Sequence, residues 1–260
     1  MSFLRSLTRS IQLAGYFVRF GAELLIKRPA TREDRAEWLH RFCVSALHGL
    51  GIEVEVSGEF PTRGAMISNH LSYLDIIVFA SIHPCVFVSK SEVAEYPVIG
   101  WMTTMSGTVY VARGNGGSAL KARSGMESAL AAGLTVVFFP EGTTSNGSGL
   151  LKFHSGLLAQ VREAGAPVTA AHICYSIGSD NGKASVSNDV CYWGDDVQLV
   201  PHIFRLLGLS GVRAQVRFAD SAIEFSSGAD HRKRAAHEAW VAVGELAQVS
   251  TRGCCETTSL

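Results

Sequence analysis

Apolar and polar positions change period along this chain. In the first 28 residues Phe3, Leu4, Leu7, Ile11, Ala14, Val18 and Leu25 recur at spacings of three and four, which draws one stripe along an α-helix. Arg5, Arg9 and Arg19 stand largely off that stripe, so the segment reads as an amphipathic helix that either lies among lipid headgroups or packs on its own domain. A second helix is predicted in "REDRAEWLHRFCVSALHGLGI", which opens on acids, carries Trp38, Leu39, Phe42, Val44 and Leu47, and meets Gly49 as a stop. Beyond it the period shortens. The runs "IEVEVSG", "GAMISN", "CVFVSK", "GTVYVAR", "LTVVFFP", "PVTAAHICY", "ASVSNDV" and "VRAQVRFAD" read as strands. Helical patterns fall between and after them at 72–81, 92–105, 118–131, 155–164, 200–207 and 230–249. Strands alternating with helices predict an α/β sheet, and "LTVVFF", apolar on both faces, predicts a central strand covered on each side. The pattern divides into a helical membrane-associating segment at 1–48, one α/β domain at 49–250, and a tail at 251–260 without structure.

Composition narrows the function. The 260 residues are 47% hydrophobic and 18% charged, enough apolar material for a full core. A formal net charge of zero argues against nucleic acid as a partner, because phosphate neutralisation calls for excess Lys and Arg. The charge is uneven, however: Arg5, Arg9, Arg19, Lys27 and Arg28 face only Glu23 in the leading segment, which suits an anionic lipid surface. Arg19 and Glu23 also interrupt the best membrane-crossing stretch, and the arginines argue against a cleaved signal peptide. The expected relation to the bilayer is therefore peripheral. Cys43, Cys85, Cys174, Cys191, Cys254 and Cys255 form no CxxC pair and no Cys/His spacing for zinc. They read as free thiols in a reducing compartment, and no metal is expected.

Candidate chemistry gathers where strands end, which is where open α/β sheets hold ligands. After "GAMIS" comes "NHLSYLD", Asn69 to Asp75. If a helix begins after Ser72, the Asp75 carboxylate folds back to the His70 ring, fixes its tautomer and leaves Nε2 free to take a proton. A triad without its serine would make the acceptor's own hydroxyl the nucleophile. The competing reading makes Asn69 and Ser72 helix caps and His70 a satisfied polar residue. After "LTVVFF" comes "PEGTTSNG", in which Glu141, Gly142 and Thr143 suit a phosphate or oxyanion cradle as well as they suit a polar turn. Arg113, ending "GTVYVAR", could clamp a phosphate or form a surface ion pair, and Lys90, ending "CVFVSK", is a further cation. An SxxK match at Ser118 to Lys121 lacks the companion motifs of an acyl-enzyme hydrolase.

Taken together and in order, "NHLSYLD", "GTVYVARG", "FPEGTTSNG" and "APVTAAHICY" resemble the four blocks of the glycerolipid acyltransferases, specifically the bacterial 1-acyl-sn-glycerol-3-phosphate acyltransferase group. The resemblance covers about Leu50 to Phe218. It implies a single mixed β-sheet flanked by helices, a catalytic dyad at His70 and Asp75, substrate binding through Ser72, Lys90, Arg113, Glu141, Gly142 and Thr143, and no cofactor beyond an acyl-CoA or acyl carrier protein donor. The implied partners are a membrane lipid acceptor and the bilayer surface, at the cytoplasmic face of the cell membrane. The implied acceptor is lysophosphatidic acid, with lyso-ornithine lipid as the alternative. Thr144 stands where many members carry arginine after "FPEGT", which removes one cation from the expected phosphate grip.

Overall fold

The computed structural model describes residues 2–96, 98–112, 116–194, 196–226 and 231–254. Two helices lead the chain, α1 (Phe3–Lys27) and α2 (Arg32–Leu50). The strands are β1 (Glu53–Ser57), β2 (Ala65–Ile67), β3 (Cys85–Lys90), β4 (Val109–Val111), β5 (Thr135–Phe138), β6 (Val168–Ser176) and β7 (Arg213–Ala222). Helices α3 (Leu74–Ile82), α4 (Ile99–Met105), α5 (Gly116–Ala131), α6 (Ser155–Glu163), α7 (Val186–Asp189), α8 (Leu199–Leu207) and α9 (His231–Cys254) connect and cover them.

The strands form one sheet in the order β1-β7-β6-β2-β5-β3-β4. From β6 to β4 all neighbours are parallel, whereas β7 runs antiparallel to β6 and carries β1 parallel to itself. The sheet is therefore mixed, as expected. Its centre is buried on both faces because β2 and β5 alternate between two cores. Met66 and Val137 belong to a cluster with α1, α2, α3 and α8, while Ile67, Val136 and Phe138 belong to one with α5, α6 and α9. The carboxyl ends of β2, β3, β4, β5 and β6 consequently share one edge, and the loops leaving them meet there.

The N-terminal helices are part of the first core rather than beside it. Phe20 and Leu24 of α1 and Trp38, Phe42 and Leu47 of α2 pack in the same cluster as Phe87, Val137 and Ile173 of the sheet. The two helices cross closely where Gly49 meets the Tyr16 ring, a site at which any Cβ would overlap it. Trp38 Nε1 donates to Phe20 O at 3.1 Å, and Arg41 grips Glu23 through two nitrogens at 2.7 and 3.1 Å. Hydrogen bonding from Arg41 holds the Glu23 carboxyl down at about 2. The acid that interrupts the apolar run thus has a structural purpose.

Three local expectations are corrected. The run "ASVSNDV" is not a strand. Ser185 Oγ accepts Asn188 N–H and starts the short helix α7, because side-chain oxygens near a turn favour capping over a ladder. The helix predicted over 92–105 is a 3₁₀ turn, Ser91–Glu95, followed by α4; Tyr96 precedes a proline and takes the extended conformation that proline sterics demand. Finally, α9 runs to Cys254, four residues into the segment expected to lack structure; 255–260 lie outside the described residues.

Candidate active site

His70 and Asp75 meet at the carboxyl edge of the sheet. Strand β2 ends at Ile67, the loop 68–73 turns, and α3 begins at Leu74, so Asp75 sits in the first helical turn. Its carboxylate points back into the loop. Asp75 Oδ2 lies 2.7 Å from His70 Nδ1 and accepts the Leu71 and Ser72 N–H groups at 2.7 and 3.0 Å. Oδ1 accepts the Tyr175 hydroxyl at 2.6 Å. Asp75 is wholly buried and the His70 side chain is 16% exposed, so the carboxylate is dry and the ring reaches the surface. With an acceptor-only carboxylate at Nδ1, the proton sits on Nδ1 and the Nε2 lone pair is presented outward.

The ring is held from a second direction. It lies flat on Phe139, with centroids 3.9 Å apart and planes 7° from parallel. The backbone of His70 is pinned at both of its polar groups: its N–H donates to Glu141 Oε2 at 3.2 Å, and its C=O accepts Ser145 N–H at 2.9 Å. The loop after β5 therefore acts as a brace for the loop after β2.

Glu141 fills a different place from the one the motif suggested. It is buried, and its other oxygen accepts Leu151 N–H at 3.1 Å, so both oxygens tie backbone groups together. Burial pushes its carboxyl up to about 7, against the pull of the Leu151 and His70 N–H groups, with a smaller push from Asp75. Gly142 takes a positive φ of 65°, and its N–H closes a turn onto Phe139 O; the oxyanion donor expected there is engaged within the turn. Thr143 is exposed beside it.

Asn69 does not cap a helix. Its side-chain amide pairs with both backbone groups of Ile173 on β6, at 2.9 Å each, extending the β2–β6 ladder by one side chain. Ser72 is fully buried, and its Oγ has no partner among the described residues. Lys90 is exposed at the end of β3. Arg113 lies outside the described residues.

Sequence reading overlooked Tyr175 and Phe139 as working residues. Both stood inside motif blocks, Phe139 opening "FPEGTTSNG" and Tyr175 closing "APVTAAHICY". The signal for Tyr175 was its phase: along β6 it shares a face with Ala171 and Ile173, all three in the core on the dyad side. A further polar relay braces the loop from α8, where fully buried His202 bridges Tyr73 Oη at 3.1 Å and Cys191 O at 2.9 Å. Cys43, Cys85 and Cys191 are buried thiols, and the Cys174 thiol lies 3.6 Å from Gln215 Oε1. Among the described residues no His, Cys, Asp and Glu group could hold a metal ion.

Known proteins resemble this chain in sequence and in fold. The family model described as Acyltransferase matches residues 51–173. The chain is 37% identical over 172 residues to a lyso-ornithine lipid O-acyltransferase of Pseudomonas aeruginosa, a match spanning 65% of this chain and 62% of that protein. It is 30% identical over 227 residues to a 1-acyl-sn-glycerol-3-phosphate acyltransferase of Neisseria meningitidis, spanning 85% of this chain and 87% of that one. The matches to the Pseudomonas protein and to a second lyso-ornithine lipid O-acyltransferase, from Brucella abortus (33% identical over 162 residues, 60% of this chain), cover only about three fifths of those relatives' length. In fold, the chain superposes on the crystal structure of the 1-acyl-sn-glycerophosphate acyltransferase PlsC from Thermotoga maritima with a TM-score of 0.67, at 18% identity and 95% coverage of both chains.

Proposed function

Because this chain belongs to the acyltransferase family, we propose that it moves an acyl group from a thioester to the free hydroxyl of a lysolipid, with His70 and Asp75 as the catalytic pair. The observation that carries this reading is the 2.7 Å contact between His70 Nδ1 and Asp75 Oδ2, which leaves Nε2 as the basic atom at the surface. The step needs no acyl-enzyme. Nε2 takes the proton from the lysolipid hydroxyl, the oxygen attacks the thioester carbonyl, the C–S bond breaks, and the thiolate leaves with the electron pair and is protonated. Ser68 and Ser72, the hydroxyls nearest to His70 in sequence, are both sealed from solvent, in keeping with a dyad that activates the substrate's own hydroxyl. The donor is acyl-CoA or acyl carrier protein.

The acceptor of first choice is lysophosphatidic acid, a reading supported by the relative that aligns over 85% of the chain. Exposed Lys90 and, from the sequence, Arg113 are the cations it would use. Lyso-ornithine lipid is the second reading. Thr144 in place of an arginine and the 37% identical relative favour it.

The site is reached from the lipid surface. On α1 the stripe Phe3, Leu4, Leu7, Ile11, Val18 and Leu25 is exposed, each side chain at 43% or more, and Phe3 stacks edge-on with Phe204 of α8. No described helix is long and apolar enough to cross a membrane. An amphipathic helix with its apolar face uncovered suits interfacial docking at the cytoplasmic leaflet.

The test is thiol release from acyl-CoA, and then from acyl carrier protein, with each lysolipid offered in vesicles. His70→Ala should abolish transfer, a loss of roughly a thousandfold or more for a general base, while vesicle binding persists. Equal turnover by the variant would sink the dyad reading, and reaction with only one lysolipid names the acceptor.

A further inference from the structure

The sequence motif supplies Asp75, but another strand supplies the donor to its second oxygen. Tyr175 stands near the end of β6, 100 positions away in the chain, and its hydroxyl reaches Asp75 Oδ1 at 2.6 Å. It is buried, and its phenol lies among Asp75, Cys191 and Cys174, with burial the main force keeping it protonated. It is therefore a donor and cannot be a base. The other three partners of Asp75 are at Oδ2, so among the described residues Oδ1 depends on this one hydroxyl.

We propose that Tyr175 is a positioning residue for the dyad, a role that rests on the acyl-transfer reading. It acts in two ways. With Oδ1 anchored, the carboxylate cannot rotate out of the plane that aims Oδ2 at His70 Nδ1. The short hydrogen bond also draws negative charge toward Oδ1. Asp75 then pulls less strongly on the shared proton, which stays on the imidazole and keeps Nε2 as the basic atom. The same strand holds the other end of the motif through the Ile173 pairing with Asn69, so β6 sets the frame within which the histidine points. Because Tyr175 is buried behind Asp75, it touches no substrate.

The experiment compares wild type, Tyr175→Phe and a chain with 3-fluorotyrosine at 175. In proton NMR the His70 Nδ1 proton is assigned as the downfield resonance lost in His70→Ala. Tyr175→Phe should lower kcat about tenfold, the size expected for losing a hydrogen bond to a charged group, with KM unchanged and the resonance moved further downfield. Fluorotyrosine keeps the ring and strengthens the donor, so the resonance should move the other way. Unchanged kcat with an unmoved resonance in Tyr175→Phe overturns the proposal, as does a rise in KM alone. If Tyr175→Phe does not fold, an unmoved resonance in the fluorotyrosine protein overturns it. If wild type transfers no acyl group, the function reading fails, and the two resonance shifts still decide whether Tyr175 governs the pair.

Discussion

His70 is held by its ring, its N–H and its C=O at once, and the carboxyl that accepts its N–H, Glu141, is itself buried. Burial has raised that carboxyl to about 7, while an unfolded chain would titrate it near 4.5. Between those values the folded protein keeps a proton that the unfolded chain has lost. Stability contributed by this group is therefore complete below about pH 4.5, declines as pH rises through about 7, and is level above it. Glu141→Gln should remove that decline. Urea midpoints at about pH 5 and about pH 8 would differ less in the variant than in wild type, after allowing for other groups. Because an amide can accept only through its oxygen, one of the two backbone N–H groups at Leu151 and His70 would face an NH₂. That should cost about 1–3 kcal/mol and lower turnover by loosening His70. An unchanged pH dependence would show that Glu141 is ionised in the fold throughout.

The first helix does two jobs with its two faces. Its arginines look from the sequence like a lipid-facing flank, yet Arg5 and Arg9 point inward. Arg5 reaches Gly208 O at 3.1 Å, and Arg9 reaches Leu207 O and Leu209 O at 3.3 and 2.6 Å. They serve as caps for the carbonyls at the end of α8, where cations are favoured by the helix dipole. The apolar stripe is left for another surface. Replacing Leu7, Ile11 and Val18 with serine touches side chains that are 43%, 65% and 73% exposed, so melting behaviour should barely change. Vesicle partitioning should fall roughly a hundredfold if each residue contributes about 1 kcal/mol of transfer. Turnover should fall on vesicle-borne lysolipid and persist on micellar or water-dispersed short-chain acceptor. Retained vesicle binding would assign the docking to another face.

Over the molecule as a whole, the leading helices and the sheet are one folding body. Phe20 and Leu24 of α1 are 2% and 1% exposed in the cluster that also holds Phe79, Val137 and Ile173. Each such side chain contributes about 1.5–3 kcal/mol by its burial. The loss of both, about 3–6 kcal/mol, is comparable to the lower end of an ordinary domain's total stability of about 5–15 kcal/mol. Deleting residues 2–30 should therefore yield a chain that aggregates or melts far below wild type, rather than a soluble catalytic domain. Circular dichroism and a thermal melt of the deletion decide it: a variant with wild-type melting would mean that α1 is only an appendage.

Period, spacing and local turn chemistry were enough for much of this. Stripes of three and four located α1, α2, α5, α6, α8 and α9 to within a few residues, because burying one face of a helix imposes that spacing. The five-residue step from His70 to Asp75 placed both in one loop-to-helix corner, a relation set by nearby backbone. What the chain order could not reveal was anything that depends on partners far apart in sequence. Tyr175 at Asp75, Ile173 at Asn69, Arg9 at the end of α8 and Glu141 beneath His70 each join segments that only the sheet order brings together. A side chain's type states what it can donate or accept, but folding alone determines which distant group stands opposite it. For that reason Glu141 reads as a ligand-binding acid in the sequence and serves as a brace in the fold, and Tyr175 reads only as the end of a strand and stands behind the base.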